Sequence, residues 1–223
     1  MNYNSLLGSK LAKYFNKKYG IITYSGTLAI EVALKSLKLK RKSKVLISSN
    51  VCYSIINTVL KLGLVPVIKT PNNGLFFTND DIDVVIDKEI IDCILLVHQF
   101  GILNNISKRK YKKLNIKIIE DVAQVWNLKD NNGMNNIGIY SDIVVTSFGS
   151  TKPISYGIGG GLFFDNKKIV GISAVFIIIG ISYFGIYFYN YFTDSKKNIL
   201  AIEKIINNDN VDVSLEDRYG YNF

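Results

Sequence analysis

Histidine, cysteine and proline are all scarce in this chain of 223 residues, which has one histidine, two cysteines and three prolines. With only His98, Cys52 and Cys93 to draw on, a structural zinc site is excluded, because such a site takes four closely spaced nitrogen or sulfur ligands. Two isolated cysteines make no disulfide framework, so both thiols are expected to be free, in a reducing compartment. Few prolines, 48% hydrophobic residues and 20% charged residues exclude a disordered chain, since there is enough apolar surface to offset the entropy of ordering. The N-terminus, Met1-Asn2-Tyr3-Asn4-Ser5, lacks the basic and then apolar layout of a secretion signal, and no internal repeat is visible. A single main folded body in the cytoplasm is the expectation.

Acidic residues are also in short supply, 18 against 27 lysines and arginines, for a formal charge of +9. The cations are scattered or sit in short runs such as Lys108-Arg109-Lys110 and Lys112-Lys113. That pattern fits a solvated surface better than the concentrated footprint of a nucleic-acid protein, so no nucleic-acid partner is expected. Charge is missing altogether from Ile169 to Thr193, a stretch longer than the roughly 20 apolar residues that cross a bilayer as a helix. Two readings stand side by side, a membrane-spanning or interfacial helix and a buried helix of a larger fold. The mild acidity of the tail from Asp194 favours the N-terminal body on the inner side of a membrane. The chain therefore divides into residues 1–168 as the main domain, 169–193 as the apolar segment and 194–223 as the start of a further domain.

What is present is an alternation of apolar strand-like runs with helical patterns. Tyr19–Tyr24, Val45–Ser48, Leu64–Lys69, Asp83–Ile86, Cys93–Val97, Ile116–Ile119, Ile143–Phe148 and Leu162–Phe164 read as strands. Thr27–Leu37 carries Ala29, Ile30, Ala33, Leu34 and Leu37 on one helical face, and Tyr53–Leu62 is also helical. Unbroken apolar strands separated by helices predict a three-layer α/β/α sandwich around a mostly parallel sheet. Such sheets bind ligands beyond the C-terminal ends of their strands, where this sequence places Ser25-Gly26-Thr27, Ser48-Ser49-Asn50, His98-Gln99, Glu120-Asp121 and Ser147.

Several of these residues have a definite chemistry. Ser25-Gly26-Thr27 opens a helix after a strand, where free amides and the positive end of the dipole suit a phosphate, although an ordinary helix cap needs the same residues. Asp121 could hold a proton on the ring nitrogen of a pyridine cofactor, or could cap the turn that follows it. Lys152 follows the strand-like run Ile143–Phe148, and a lysine shielded in a cleft can form an imine with an aldehyde. The run Tyr156-Gly157-Ile158-Gly159-Gly160-Gly161 precedes a strand rather than a helix, which argues against a dinucleotide loop. His98 reads as a satisfied core histidine in preference to a substrate contact.

Taken in order, these elements resemble the DegT/DnrJ/StrS-type sugar aminotransferases, a branch of the fold-type-I pyridoxal-phosphate (PLP) transferases. The resemblance rests on Ser25-Gly26-Thr27 with Leu28-Ala29-Ile30 behind it, Gly63-Leu64-Val65-Pro66-Val67, Val97-His98-Gln99-Phe100-Gly101, Glu120-Asp121-Val122-Ala123-Gln124, Ser147 through Lys152, and the glycine run after the lysine. It implies PLP as cofactor and Lys152 as the Schiff-base lysine and proton shuttle. Asp121 would partner the pyridinium nitrogen and Gln124 would lie beside the ring hydroxyl, with Ser25, Gly26, Thr27 and Ser147 around the phosphate. Many relatives place an aromatic ring over the cofactor, a part for which this chain offers Tyr53. The C-terminal Tyr219-Gly220-Tyr221-Asn222-Phe223 resembles a segment whose asparagine, here Asn222, reaches a cofactor across a dimer interface.

The implied activity is transfer of an amino group from an amino-acid donor, glutamate being the expectation, to a keto group on a nucleotide-linked sugar, in a homodimer that feeds cell-surface polysaccharide synthesis. The resemblance covers only about the first three fifths of a typical relative. A second reading follows from that, a truncated remnant that binds PLP without turnover, or is tethered to a membrane by residues 169–193.

Overall fold

The computed structural model describes residues 3–126 and 136–169; the apolar segment beyond Ile169 and Asn222 lie outside the described residues. In chain order the elements are α1 (Tyr3–Tyr14), β1 (Tyr19–Thr23), α2 (Gly26–Ser36), β2 (Lys44–Ser48), α3 (Tyr53–Lys61), β3 (Val65–Lys69), α4 (Asn79–Ile86), β4 (Cys93–Val97), α5 (Lys108–Lys113), β5 (Lys117–Asp121), β6 (Ile143–Ser147) and β7 (Gly160–Phe164). The strands form one seven-stranded sheet in the order β1-β7-β6-β5-β4-β2-β3. Pairings among β2 to β6 are parallel, while β7 runs antiparallel to both of its neighbours. The expected mostly parallel sandwich is therefore present.

Alternation along each strand sends successive side chains to opposite faces of the sheet, and the core divides accordingly. Val45, Ile47, Leu95, Ile119, Val145 and Phe164 pack under α2 and α3. On the other face, Val144 and Phe163 meet Leu11 and Phe15 at α1, and Leu46, Ile94 and Ile118 meet Ile82 of α4 and Tyr111 of α5. Covering both faces requires apolar residues at every strand position, and Cys93–Leu96 are all fully buried.

Two local expectations are corrected. Asp83–Ile86 belongs to α4 instead of forming a strand. The Thr78 side chain accepts from the Asp81 N–H while the Asp81 carboxylate accepts from the Thr78 N–H, a capping box that starts a helix. Ile82 and Val85, three apart, are the buried pair. At α2 the cap is Ser25, whose Oγ accepts from the Leu28 N–H at 3.1 Å, so the helix begins one residue earlier than Thr27.

Candidate active site

The C-terminal edge of the parallel strands collects the polar residues singled out above. Asp121 ends β5 on the side of Ile119, toward α2, whereas Glu120 turns to the other face. Asp121 is 5% exposed, and burial pushes its carboxyl above the ordinary range despite the Ala123 N–H it accepts at 2.9 Å and the nearby Lys152 charge. A carboxylate held this way gains from a cationic partner.

Ser147 ends β6 directly beneath the start of α2. A Cβ on Gly26 would stand 2.7 Å from the Ser147 Cβ and 3.1 Å from its Oγ, so only glycine lets the helix N-terminus come this close to the strand. The β7 backbone approaches from the other side, where a Cβ on Gly160 would lie 2.6 Å from the Gly26 nitrogen. The Gly157–Gly161 run is thus the means by which an antiparallel strand slides under α2, with Gly157 and Gly159 in the left-handed half of backbone space. Ser25 Oγ takes the Leu28 amide, leaving the amides of Gly26 and Thr27 without an acceptor inside the helix. Lys152 sits in the turn after Ser147, its N–H donating to the Gly149 carbonyl at 2.9 Å.

Gln124 accepts the Phe100 N–H on its Oε1 at 3.1 Å, which ties the β5 end to the loop after β4. Phe100 holds a φ of 55° with its ring 65% exposed. Tyr53 opens α3 and is 73% exposed. The residue before it, Cys52, was not singled out by sequence; its thiol is held below the ordinary range chiefly by the hydrogen bond with Ser54 (3.3 Å) and feels the opposing charges of Lys152 and Asp121. Cys52 and Cys93 are both free thiols, one exposed and one buried. Asn50, placed by the sequence at the end of β2, accepts from Ser48 Oγ and from Gln99 Nε2 and donates to the Leu75 carbonyl at 2.7 Å, joining the ends of β2 and β4.

Beneath this edge lies a buried ionic cluster. His98 Nδ1 accepts the Asn104 N–H at 3.0 Å, which leaves the ring proton on Nε2 to be donated to Glu120 Oε2 at 3.0 Å. Glu120 also receives Lys108 Nζ at 3.0 Å and the Gly138 N–H at 2.8 Å. Burial alone would raise its pKa; the His98 hydrogen bond and the Lys108 charge outweigh that and bring it down to about 2. His98, 1% exposed, is a core residue, and it anchors the loop that carries Gln99 and Phe100.

A sheet with this strand order, closed by an antiparallel β7 and bearing a carboxylate, a lysine and a helix N-terminus on one edge, has the architecture of the large domain of fold-type-I PLP transferases. The family model described as the DegT/DnrJ/EryC1/StrS aminotransferase family matches residues 2–199, and the chain belongs to that family. Among curated proteins it is 30% identical over 162 residues to the 3-oxo-glucose-6-phosphate:glutamate aminotransferase of Bacillus subtilis (strain 168), covering 71% of this chain and 35% of the relative. It is 24% identical over 171 residues to the GDP-perosamine synthase of Escherichia coli O157:H7, covering 75% and 46%. Among solved structures it is similar to NtdA from Bacillus subtilis with bound cofactor PMP, at 29% identity and a TM-score of 0.66, covering 76% of this chain and 38% of that one. The fold is shared with Helicobacter pylori PseC at 17% identity and a TM-score of 0.67, covering 79% and 48%. The chain spans less than half the length of these relatives.

Proposed function

We propose that this chain forms the cofactor-binding part of a PLP-dependent sugar aminotransferase, with Lys152 as the lysine that takes the cofactor aldehyde. The observation that carries the reading is the meeting of Asp121, Lys152, Ser147 and the α2 N-terminus at one edge of the sheet, with Gly26 lying so close to Ser147 that no side chain fits between them. When bound, PLP supplies an aldehyde that condenses with amines and a protonated ring that draws electrons from the bond being broken.

The protein residues have separate tasks. The amides of Gly26 and Thr27, with Ser25 and Ser147, receive a phosphate dianion at the positive end of α2. Asp121, whose carboxylate is destabilised by burial, would hold a proton at the ring nitrogen. Gln124, with Oε1 engaged by the Phe100 amide, keeps its NH2 free to donate to the ring hydroxyl. Lys152 Nζ carries the proton between substrate carbon and cofactor as general base and acid. Tyr53 and Asn222 complete the cofactor contacts, Asn222 from a second copy in a homodimer.

The substrate proposed is a keto sugar bearing a phosphate ester, most specifically a nucleotide-linked one, with glutamate as donor. The names of the two curated relatives, a 3-oxo-glucose-6-phosphate:glutamate aminotransferase and a GDP-perosamine synthase, support that class. The half-reaction tests it: the purified chain loaded with PLP and mixed with glutamate should release 2-oxoglutarate in proportion to protein, and Lys152→Ala should release none. The second reading, binding without turnover, draws on the limited coverage of relatives, 35% and 46%. Retained PLP with no 2-oxoglutarate would establish it and defeat the first.

A further inference from the structure

The opposite edge of the sheet has a different character. At the feet of the parallel strands, where β2 starts and antiparallel β7 ends, Lys38, Lys40, Arg41, Lys42, Lys167 and Lys168 are all exposed, and none has an ion-pair partner among the described residues. The acids of this edge are mostly engaged. Glu89 pairs with Lys44 at 2.8 Å, Asp142 with Lys112 at 2.6 Å and Asp165 with Lys17 at 3.0 Å. Asp92 accepts the Lys44 N–H at 2.7 Å, and Asp87 is the exposed acid that remains. The edge is therefore net basic by several charges.

The charge-free stretch of sequence begins at Ile169, and Ile169 lies on this same edge, its side chain buried in the core under α2. Apolar contact of that stretch with a bilayer would bring the basic edge, and not the cofactor edge, to the headgroups. Lysines and arginines clustered next to a membrane-contacting segment are attracted to the anionic lipids of the inner leaflet. We infer that the edge formed by Lys38–Lys42 and Lys167–Lys168 is a docking surface for an anionic phospholipid bilayer, with the cofactor edge, one strand length away, facing the aqueous side. This inference is independent of the proposed function.

The test is co-flotation of the full-length chain with vesicles of phosphatidylcholine alone and of phosphatidylcholine mixed with phosphatidylserine. Each cation near an anionic surface strengthens partitioning about fivefold at low salt. The chain should therefore favour the phosphatidylserine vesicles, and replacing Lys38, Lys40, Arg41 and Lys42 together by glutamine should weaken that binding by roughly several hundredfold. Raising the salt to about 1 M, where the Debye length falls to about 3 Å, should erase the preference. A second variant, Lys167→Gln with Lys168→Gln, should weaken it more modestly. Equal flotation with both vesicle types, no flotation, a fourfold variant that folds and binds like the parent, or stronger capture by single-stranded RNA in competition would each overturn the inference.

Discussion

Glu120 and Asp121 are adjacent carboxylates in opposite electrostatic situations, because a strand turns successive side chains to opposite faces. Glu120 receives His98, Lys108 and the Gly138 amide. Glu120→Gln strips the charge from a buried cluster and leaves Lys108 uncompensated, at an expected cost of about 3 kcal/mol. Since the folded-state pKa of Glu120, about 2, lies below the ordinary 4.5, its contribution is complete above the higher value and is lost as pH falls toward the lower one. Urea titrations should show the gap between parent and variant narrowing from pH 7 to acid. Asp121 has the reverse sign, a pKa raised by burial, so its ionised form costs the cofactor-free protein stability above the carboxylate range. Asp121→Asn should leave the apo protein at least as stable as the parent at neutral pH, with the difference closing as the parent carboxyl protonates, while retention of PLP through dialysis is lost. A marked drop in apo stability would contradict the account of Asp121.

At the scale of elements, the contact of α2 with β6 and β7 shapes the edge proposed to receive the phosphate. Gly26→Ala places a methyl group 2.7 Å from the Ser147 Cβ, an overpacking expected to cost about 1–3 kcal/mol. Adding Ser147→Gly should restore much of that loss, and thermal unfolding of the two single variants and the double variant measures the coupling. The helices α2 and α3 and most strands were legible in the sequence because their apolar spacing is unambiguous. The helix α4 was not, because Asp83–Ile86 reads as a short apolar run unless the Thr78–Asp81 capping box is weighed first. Thr78→Ala should cost about 1 kcal/mol by removing that cap. In the site, motif order marked Asp121, Ser147 and Lys152, but the thiol of Cys52 and the Asn50–Gln99 link depend on loops whose course no periodicity encodes. Glu120 could have been assigned to the opposite face from strand alternation alone.

Across the whole molecule, chemistry is divided between the two edges of one sheet. The C-terminal edge gathers hydroxyls, helix amides, a buried carboxylate and Lys152. The N-terminal edge gathers cations without an ion-pair partner among the described residues, and the start of the charge-free stretch. That division follows from the winding of the chain, since parallel strands put every strand-to-helix loop on one edge and every return loop on the other. The antiparallel β7 is the exception, carrying the chain from the cofactor edge back to the basic edge just before Ile169. The chain spans less than half the length of the relatives compared, and the cofactor site on its C-terminal edge, with the contacts assigned to Asn222 and a second copy, belongs to the proposal.

The claim on which the rest depends is that Lys152 takes the cofactor, and the most direct measurement is peptide mass spectrometry after incubation with PLP and borohydride reduction. The account predicts one phosphopyridoxyl mass, on the peptide containing Lys152, absent from Lys152→Ala and much reduced in Asp121→Asn. Labelling spread over exposed lysines, or an adduct that survives in Lys152→Ala, would contradict it.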